Sequence, residues 1–169
     1  PYYLKKEAAM KQTHSNSRRS VYFEGLRDGF PIGLGYFAVS FSLGIAARNA
    51  GLTVTQWLLS SLLCNASAGE YALFTLIGSG AACVEIALAT LIINARYLLM
   101  SCALSQRMSP DMPFYHRFFI GFDVTDELFG LAISYDGWLD PYYMYGAILV
   151  AAPSWAVGTA LGVVVGNLL

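Results

Sequence analysis

Beyond residue 28 the chain is written as a series of long apolar runs, and this feature decides most of what it can fold into. A helix needs about 20 mainly apolar residues to cross about 30 Å of hydrocarbon. The first stretch of that kind is 31–47, lengthened by Gly29 and Phe30, and further runs cover 54–77, 81–104, 114–135 and 142–168. Of the 169 residues, 56% are apolar and only 12% charged, about half the charged share of an ordinary soluble domain. That balance excludes a disordered chain, a nucleic-acid binder resting on a basic surface and an ordinary cytosolic enzyme. The expected fold is all-α, a polytopic integral membrane protein lying in the lipid bilayer with about five hydrophobic segments.

The net charge of -1 hides an asymmetry. Lys5, Lys6, Lys11, Arg18, Arg19 and Arg27 precede Gly29, opposed only by Glu7, Glu24 and Asp28. Residues 1–28 therefore read as a basic cytoplasmic tail ahead of a membrane domain, 29–169. The tail lacks the compact apolar core and small-residue cleavage site of a secretory signal. Cys64, Cys83 and Cys102 each sit in an apolar run without metal-ligand spacing, which suits small buried side chains better than a disulfide or a zinc site. No cofactor is expected.

Pro31 suits the start of the first helix, where its missing N–H costs nothing, and Arg48, Asn49 and Gly51 end that helix. The second run is interrupted by Asn65-Ala66-Ser67-Ala68-Gly69-Glu70 and reads as two half-length helices. Each half is about 15 Å long, which reaches only the middle of a bilayer. The third run carries Glu85, Asn94 and Arg96. The fourth carries Asp123, Asp126 and Glu127 and closes on Asp136-Gly137 and Asp140-Pro141. In the fifth, Gly158, Gly162 and Gly166 allow another helix to approach closely, with Gly29, Gly33 and Gly35 as a counterpart in the first. Trp138, Tyr142, Tyr143 and Tyr145 resemble an interfacial aromatic belt.

The broken second segment can cross or turn back. If it crosses, the loop with Arg107, His116 and Arg117 lies outside and the acidic loop with Asp136 and Asp140 inside. If it is re-entrant, the basic loop is cytoplasmic and the acidic loop external. Cytoplasmic loops are enriched in Lys and Arg, which favours the re-entrant arrangement with a cytoplasmic N-terminus.

An ionised group near the centre of a membrane helix costs about 2.5–3.5 kcal/mol, so Glu70, Arg96, Asp123, Asp126 and Glu127 have to face protein, water or one another. On a continuous helix Asp123, Asp126 and Glu127 share one face. They form either a proton-binding or amine-binding cluster or a hydrated turn near the interface. Arg96 suits that cluster, a substrate carboxylate held by a guanidinium fork, or an ion pair locking two helices. Glu85 lies near its helix start and reads as interfacial.

At the break, Asn65, Ser67 and Gly69 expose backbone groups at membrane depth, which is tolerated only inside protein or beside a watery cavity. Half-helix N-termini of this kind face anionic substrate groups in several transporters. Glu70 there suits a substrate ammonium or the helix dipole, and the alternative is a packing kink. There is no nucleophile elbow, phosphate-cradling loop or metal-binding run, and His14 and His116 have no evident catalytic partner. The candidate site is thus Asn65, Ser67, Gly69, Glu70, Asn94 and Arg96 for a substrate, with Asp123, Asp126 and Glu127 for protons. A transporter, not an enzyme, is the first reading. A membrane interaction protein with structural charge pairs is the second, and a hydrolase using Asp123 and Asp126 has no substrate or oxyanion feature behind it.

Several local patterns together resemble the AzlC-type branched-chain amino acid permeases, large subunits of two-component bacterial exporters. They are Gly25-Leu26-Arg27-Asp28-Gly29-Phe30-Pro31-Ile32 with Gly35-Tyr36-Phe37, Asn65-Ala66-Ser67-Ala68-Gly69-Glu70, Asn94-Ala95-Arg96-Tyr97, Thr125-Asp126-Glu127, and Trp155 with Gly158-Thr159-Ala160-Leu161-Gly162. The family generally has a glutamine where this chain has Glu70. The resemblance implies export of leucine, isoleucine, valine and methionine across the inner membrane, with a small hydrophobic AzlD-type membrane subunit as partner. It also implies a longer chain with further helices.

Overall fold

The computed structural model describes residues 18–49, 51–53, 55–57, 59 and 67–166. Their regular elements are helices: α1 (Arg18–Asn49), α2 (Ser67–Gly78), α3 (Cys83–Asn94), α4 (Arg96–Ser105), α5 (Phe114–Phe122), α6 (Asp126–Ser134) and α7 (Pro141–Gly166). Asn65 and Cys64 lie outside the described residues, as does most of the first half of the interrupted second run.

Three stretches among the described residues are long and apolar enough to cross a membrane: α1, the stretch Cys83–Ser105 formed by α3 and α4, and α7. The expected count of about five spans is therefore not reproduced. At 12 residues, α2 is about 18 Å long, and α5 and α6, with 9 each, are about 14 Å. None of these crosses about 30 Å of hydrocarbon by itself.

The 32-residue α1 is about 48 Å long and outreaches the hydrocarbon. Arg18, Arg19, Glu24, Arg27 and Asp28 therefore extend the first span as helix. Pro31 lies inside this helix, not at its start. Its ring removes the donor that the Arg27 carbonyl would use, but it sits on the exposed side of α1, clear of the seam described next. At the other end Leu52 N–H reaches the Ala47 carbonyl at 3.3 Å around Gly51, whose φ of 77° is open to glycine at little cost. Gly80, with φ 73°, ends α2 in the same way, with Ala81 N–H on the Leu76 carbonyl at 3.0 Å.

Small residues bring α1 and α7 into backbone contact. A Cβ on Gly29 would stand 2.7 Å from the Ala147 Cα, and one on Gly158 2.6 Å from the Phe37 carbonyl oxygen. Gly25 meets Tyr143, Gly33 meets Val150, and Gly44 meets Gly162. The numbers rise together along both helices, so α1 and α7 run parallel. Gly35 faces open space and is no part of the seam, contrary to the spacing argument. Tyr143, expected in an aromatic belt, is buried in the seam, and its hydroxyl donates to Asp28 at 2.9 Å.

Parallel α1 and α7, with one long span between them, require the second and fourth runs either both to cross or both to turn back. The contacts show turning back. The Arg107 carbonyl, after α4, accepts from Leu139 N–H at 2.8 Å, and the Arg107 guanidinium donates to the Tyr135 carbonyl. His116 Nδ1, at the start of α5, is 2.6 Å from the Tyr145 hydroxyl at the start of α7. The α5–α6 hairpin thus enters and leaves on one side. The described half of the second run, α2, starts beside Asn94 at mid-span, where Gly69 leaves room for that side chain, and ends at the start of α3.

The basic loop and the acidic loop consequently share a side, where the charge count had separated them. The reason is the break in the fourth run, which the hydrophobicity of 114–135 conceals. In the acidic loop the Tyr135 phenol is pushed up to about 12, by burial first and then by Asp140 and Glu24, so it stays neutral there. Cys83 and Cys102 are exposed on the outer face of their span, not buried as small core residues. That span also turns Val84, Leu91, Ile92 and Leu99 outward, as a lipid-facing helix should.

Candidate functional site

Both tips of the half-length helices reach the same depth as the midpoints of the three spans. The first tip belongs to α2. Ser67 opens it, Gly69 lies against the Asn94 side chain, and Glu70 stands in the first turn, fully buried. Glu70 Oε2 accepts from Trp155 Nε1 of α7 at 3.1 Å. Only the backbone of Ser67 is described. A carboxylate in a first turn also meets the positive end of the helix dipole.

The second tip is the break between α5 and α6. Asp123 ends α5, and Thr125 is the N-cap of α6, its hydroxyl accepting from Leu128 N–H at 3.4 Å. Asp126 and Glu127 then occupy the first turn of a new helix. Asp123, Asp126 and Glu127 therefore do not share a face of one continuous helix, because the threonine cap restarts the helix between them. Asp126 turns to α4, where its Oδ2 lies 2.8 Å from Arg96 Nη1. Glu127 turns to α1, where its Oε2 accepts from the Tyr36 hydroxyl at 2.7 Å. The same hydroxyl meets that of Thr125.

Arg96 follows a local irregularity in the third span. Ala95 N–H bonds the Ile92 carbonyl at 3.3 Å and Leu98 N–H bonds the Ala95 carbonyl at 3.1 Å, tight three-residue steps that divide α3 from α4. Asn94 and Arg96 flank this point, and the guanidinium lies over the Tyr97 ring, 5.2 Å from its centroid. Asn94 Oδ1 is buried without a hydrogen bond among the described residues. The Arg96–Asp126 side chains are 43% and 46% exposed, so the pair stands at the edge of the described helices.

Between the two tips stand Tyr36 of α1 and Trp155 of α7, edge to face with ring centroids 5.4 Å apart. Glu70, Trp155, Tyr36, Thr125, Glu127, Asp126 and Arg96 form one polar layer at mid-depth. Of the residues picked from the sequence, Glu70, Gly69, Asn94, Arg96, Asp126 and Glu127 converge on it, Asp123 borders it, and Asn65 lies outside the described residues. Tyr36, Tyr97, Thr125 and Trp155 were not singled out for the site. Tyr36 and Trp155 had a signal, being amphipathic aromatics at mid-span instead of at an interface. Thr125 before Asp-Glu is a helix-start pattern inside a hydrophobic run.

A helical membrane protein whose half-length helices point their tips at one mid-depth layer, each with a carboxylate in its first turn, is what the fold and this layer define. The chain belongs to the AzlC protein family, which matches residues 31–169, as the sequence patterns implied. It is 31% identical over 156 residues to an uncharacterized membrane protein of Archaeoglobus fulgidus, a match covering 92% of this chain and 68% of that one. It is 23% identical over 152 residues to the inner membrane protein YgaZ of Escherichia coli, covering 88% and 62%. With an uncharacterized membrane protein of Helicobacter pylori the identity is 24% over 153 residues, covering 86% and 66%. The chain thus spans about two thirds of the length of these relatives. No solved structure matches it.

Proposed function

We propose that the protein is a secondary transporter that exports branched-chain amino acids across the inner membrane, with a small AzlD-type membrane subunit as partner and protons as the coupling ion. The observation that carries this reading is the convergence of two half-helix N-termini with Arg96 at mid-depth. Discontinuous helices meeting there are a recurrent way to bind small charged solutes in transporters. In this reading the Arg96 guanidinium exchanges Asp126 for the substrate carboxylate, and Glu70 or Glu127 receives the ammonium. Asp123, Asp126 and Glu127 supply proton sites, and the N-terminus is cytoplasmic. Apolar walls discriminate by only about 1–3 kcal/mol per methylene, which fits breadth across leucine, isoleucine, valine and methionine.

The test is uptake of labelled leucine into proteoliposomes under an imposed pH gradient, with and without the co-expressed small subunit and with unlabelled amino acids as competitors. Gradient-driven flux that needs the subunit supports the reading. Absence of flux from an intact complex contradicts it and favours a membrane interaction protein.

A further inference from the structure

Tyr36 is buried, at 7% exposure, and is where α1 meets the tip of the α5–α6 hairpin. The hydrogen bonds around it agree in one sense. Leu128 N–H donates to the Thr125 hydroxyl, that hydroxyl donates to the Tyr36 oxygen, and Tyr36 donates to the Glu127 carboxylate. Each hydroxyl gives one proton and accepts one, so the phenol is satisfied only with both tip side chains in place around it. Among the described residues no backbone hydrogen bond joins this tip to α1. Tyr36 from α1 and Arg96 from α4 reach the tip with polar side chains, beside the buried Val124 and Leu128.

The two parts that Tyr36 joins differ in freedom. The α1–α7 seam has backbone against backbone at Gly29, Gly44, Gly158 and Gly162, and it cannot slide without collision. The hairpin consists of two 9-residue helices joined through the break at Asp123–Thr125. Movement of one body against another around a mid-depth site is how such transporters alternate access, and a phenol fixed by its ring to Trp155 is placed to govern it.

We propose that Tyr36 is a positioning residue of the transport cycle, its hydroxyl fixing the re-entrant tip to the α1–α7 pair so that the tip moves only when those contacts break. This rests on the transporter reading above. Tyr36→Phe keeps the ring on Trp155 and removes only the hydroxyl, so it is the variant to test in the full membrane-inserted protein.

Two readouts are needed. In a background with Cys64, Cys83 and Cys102 replaced by alanine, Val124→Cys reports on the tip, since Val124 is 5% exposed. Tyr36→Phe raises its maleimide labelling rate by about tenfold or more, tenfold being the low end of the factor expected for a lost charge-assisted hydrogen bond. In leucine transport the same variant changes the maximal rate by about threefold or more while KM stays within about twofold.

Unchanged labelling and unchanged maximal rate, beside a wild type that carries leucine, overturn the role of Tyr36 and leave the transporter reading intact. A change in KM alone makes Tyr36 a substrate contact and also overturns it. A wild type without leucine flux, even with faster labelling in Tyr36→Phe, overturns the transporter reading and with it the place of Tyr36 in a cycle.

Discussion

The α1–α7 pair and the α5–α6 hairpin occupy the same membrane depth, yet they are held by opposite means. The pair is joined by missing side chains: glycine and alanine let two backbones touch, and dispersion over that length does the rest. The hairpin is joined by side chains that carry charge and hydroxyl groups, at Arg96–Asp126 and Tyr36–Glu127. The first arrangement tolerates no added atoms and has one geometry. The second packs Ile120, Leu128 and Ala132 into the core and adds a few partly exposed polar bonds that water, a proton or a charged solute can replace. A framework packed through its backbones and a part joined by polar side chains are thus separated in the sequence itself, glycine periodicity marking one and charged residues inside an apolar run the other.

Substitutions should break the two regions differently. The largest expected effect is Gly158→Leu, whose side chain would run into the Ser40 hydroxyl and the Phe37 carbonyl. Overpacking of this kind costs about 1–3 kcal/mol and more against rigid backbone, so the folded fraction and the thermal midpoint in detergent fall sharply. Gly35→Leu, with nothing near it, leaves both unchanged and confirms that the seam is responsible.

Arg96→Gln should insert and fold normally but lower leucine flux about 10- to 150-fold, the equivalent of one charged hydrogen bond of about 1.5–3 kcal/mol. A flux equal to wild type would remove Arg96 from the site. Thr125→Ala takes the cap from α6 and should cost about 1 kcal/mol, read as a lower midpoint in chemical or thermal unfolding. The smallest effect belongs to Leu99→Ala on the outer face, 75% exposed. Its stability should stay within about 0.5 kcal/mol of wild type, and a larger loss would mean that another helix covers that face.

What the sequence made legible follows the same division. Apolar length identified the three spans, because each is a continuous run with its charges at the ends or at one mid-span point. Glycine spacing found the seam, although it could not tell Gly33, inside, from Gly35, outside, since two positions two residues apart face opposite sides of a helix. The interruption at Asn65–Glu70 was visible because its polar residues stand together. The break at Asp123–Thr125 was not, because Val124 keeps the run apolar and the carboxylates three and four apart imitate one helical face.

Once that break is missed, the fourth run crosses on paper and the Asp136 loop goes to the wrong side. For Arg96 the sequence leaves the fourth-segment carboxylates, a substrate carboxylate and a helix-locking ion pair open, and in the structure it pairs with Asp126. For Tyr36 and Trp155 the mid-span position was the one local sign, and their partners, about 85 to 91 positions away in sequence, are carried by no local pattern.

The arrangement stands or falls on whether α5 and α6 enter and leave the membrane on one side. Single cysteines replacing Asp111 and Asp136, both exposed, can be introduced in the cysteine-free background and treated in oriented vesicles with a membrane-impermeant maleimide. The expected result is that both positions react from the same side, the one that also exposes the start of α1. Reaction from opposite sides would mean that the fourth segment crosses the bilayer, and the mid-depth tip carrying Thr125, Asp126 and Glu127 would not exist.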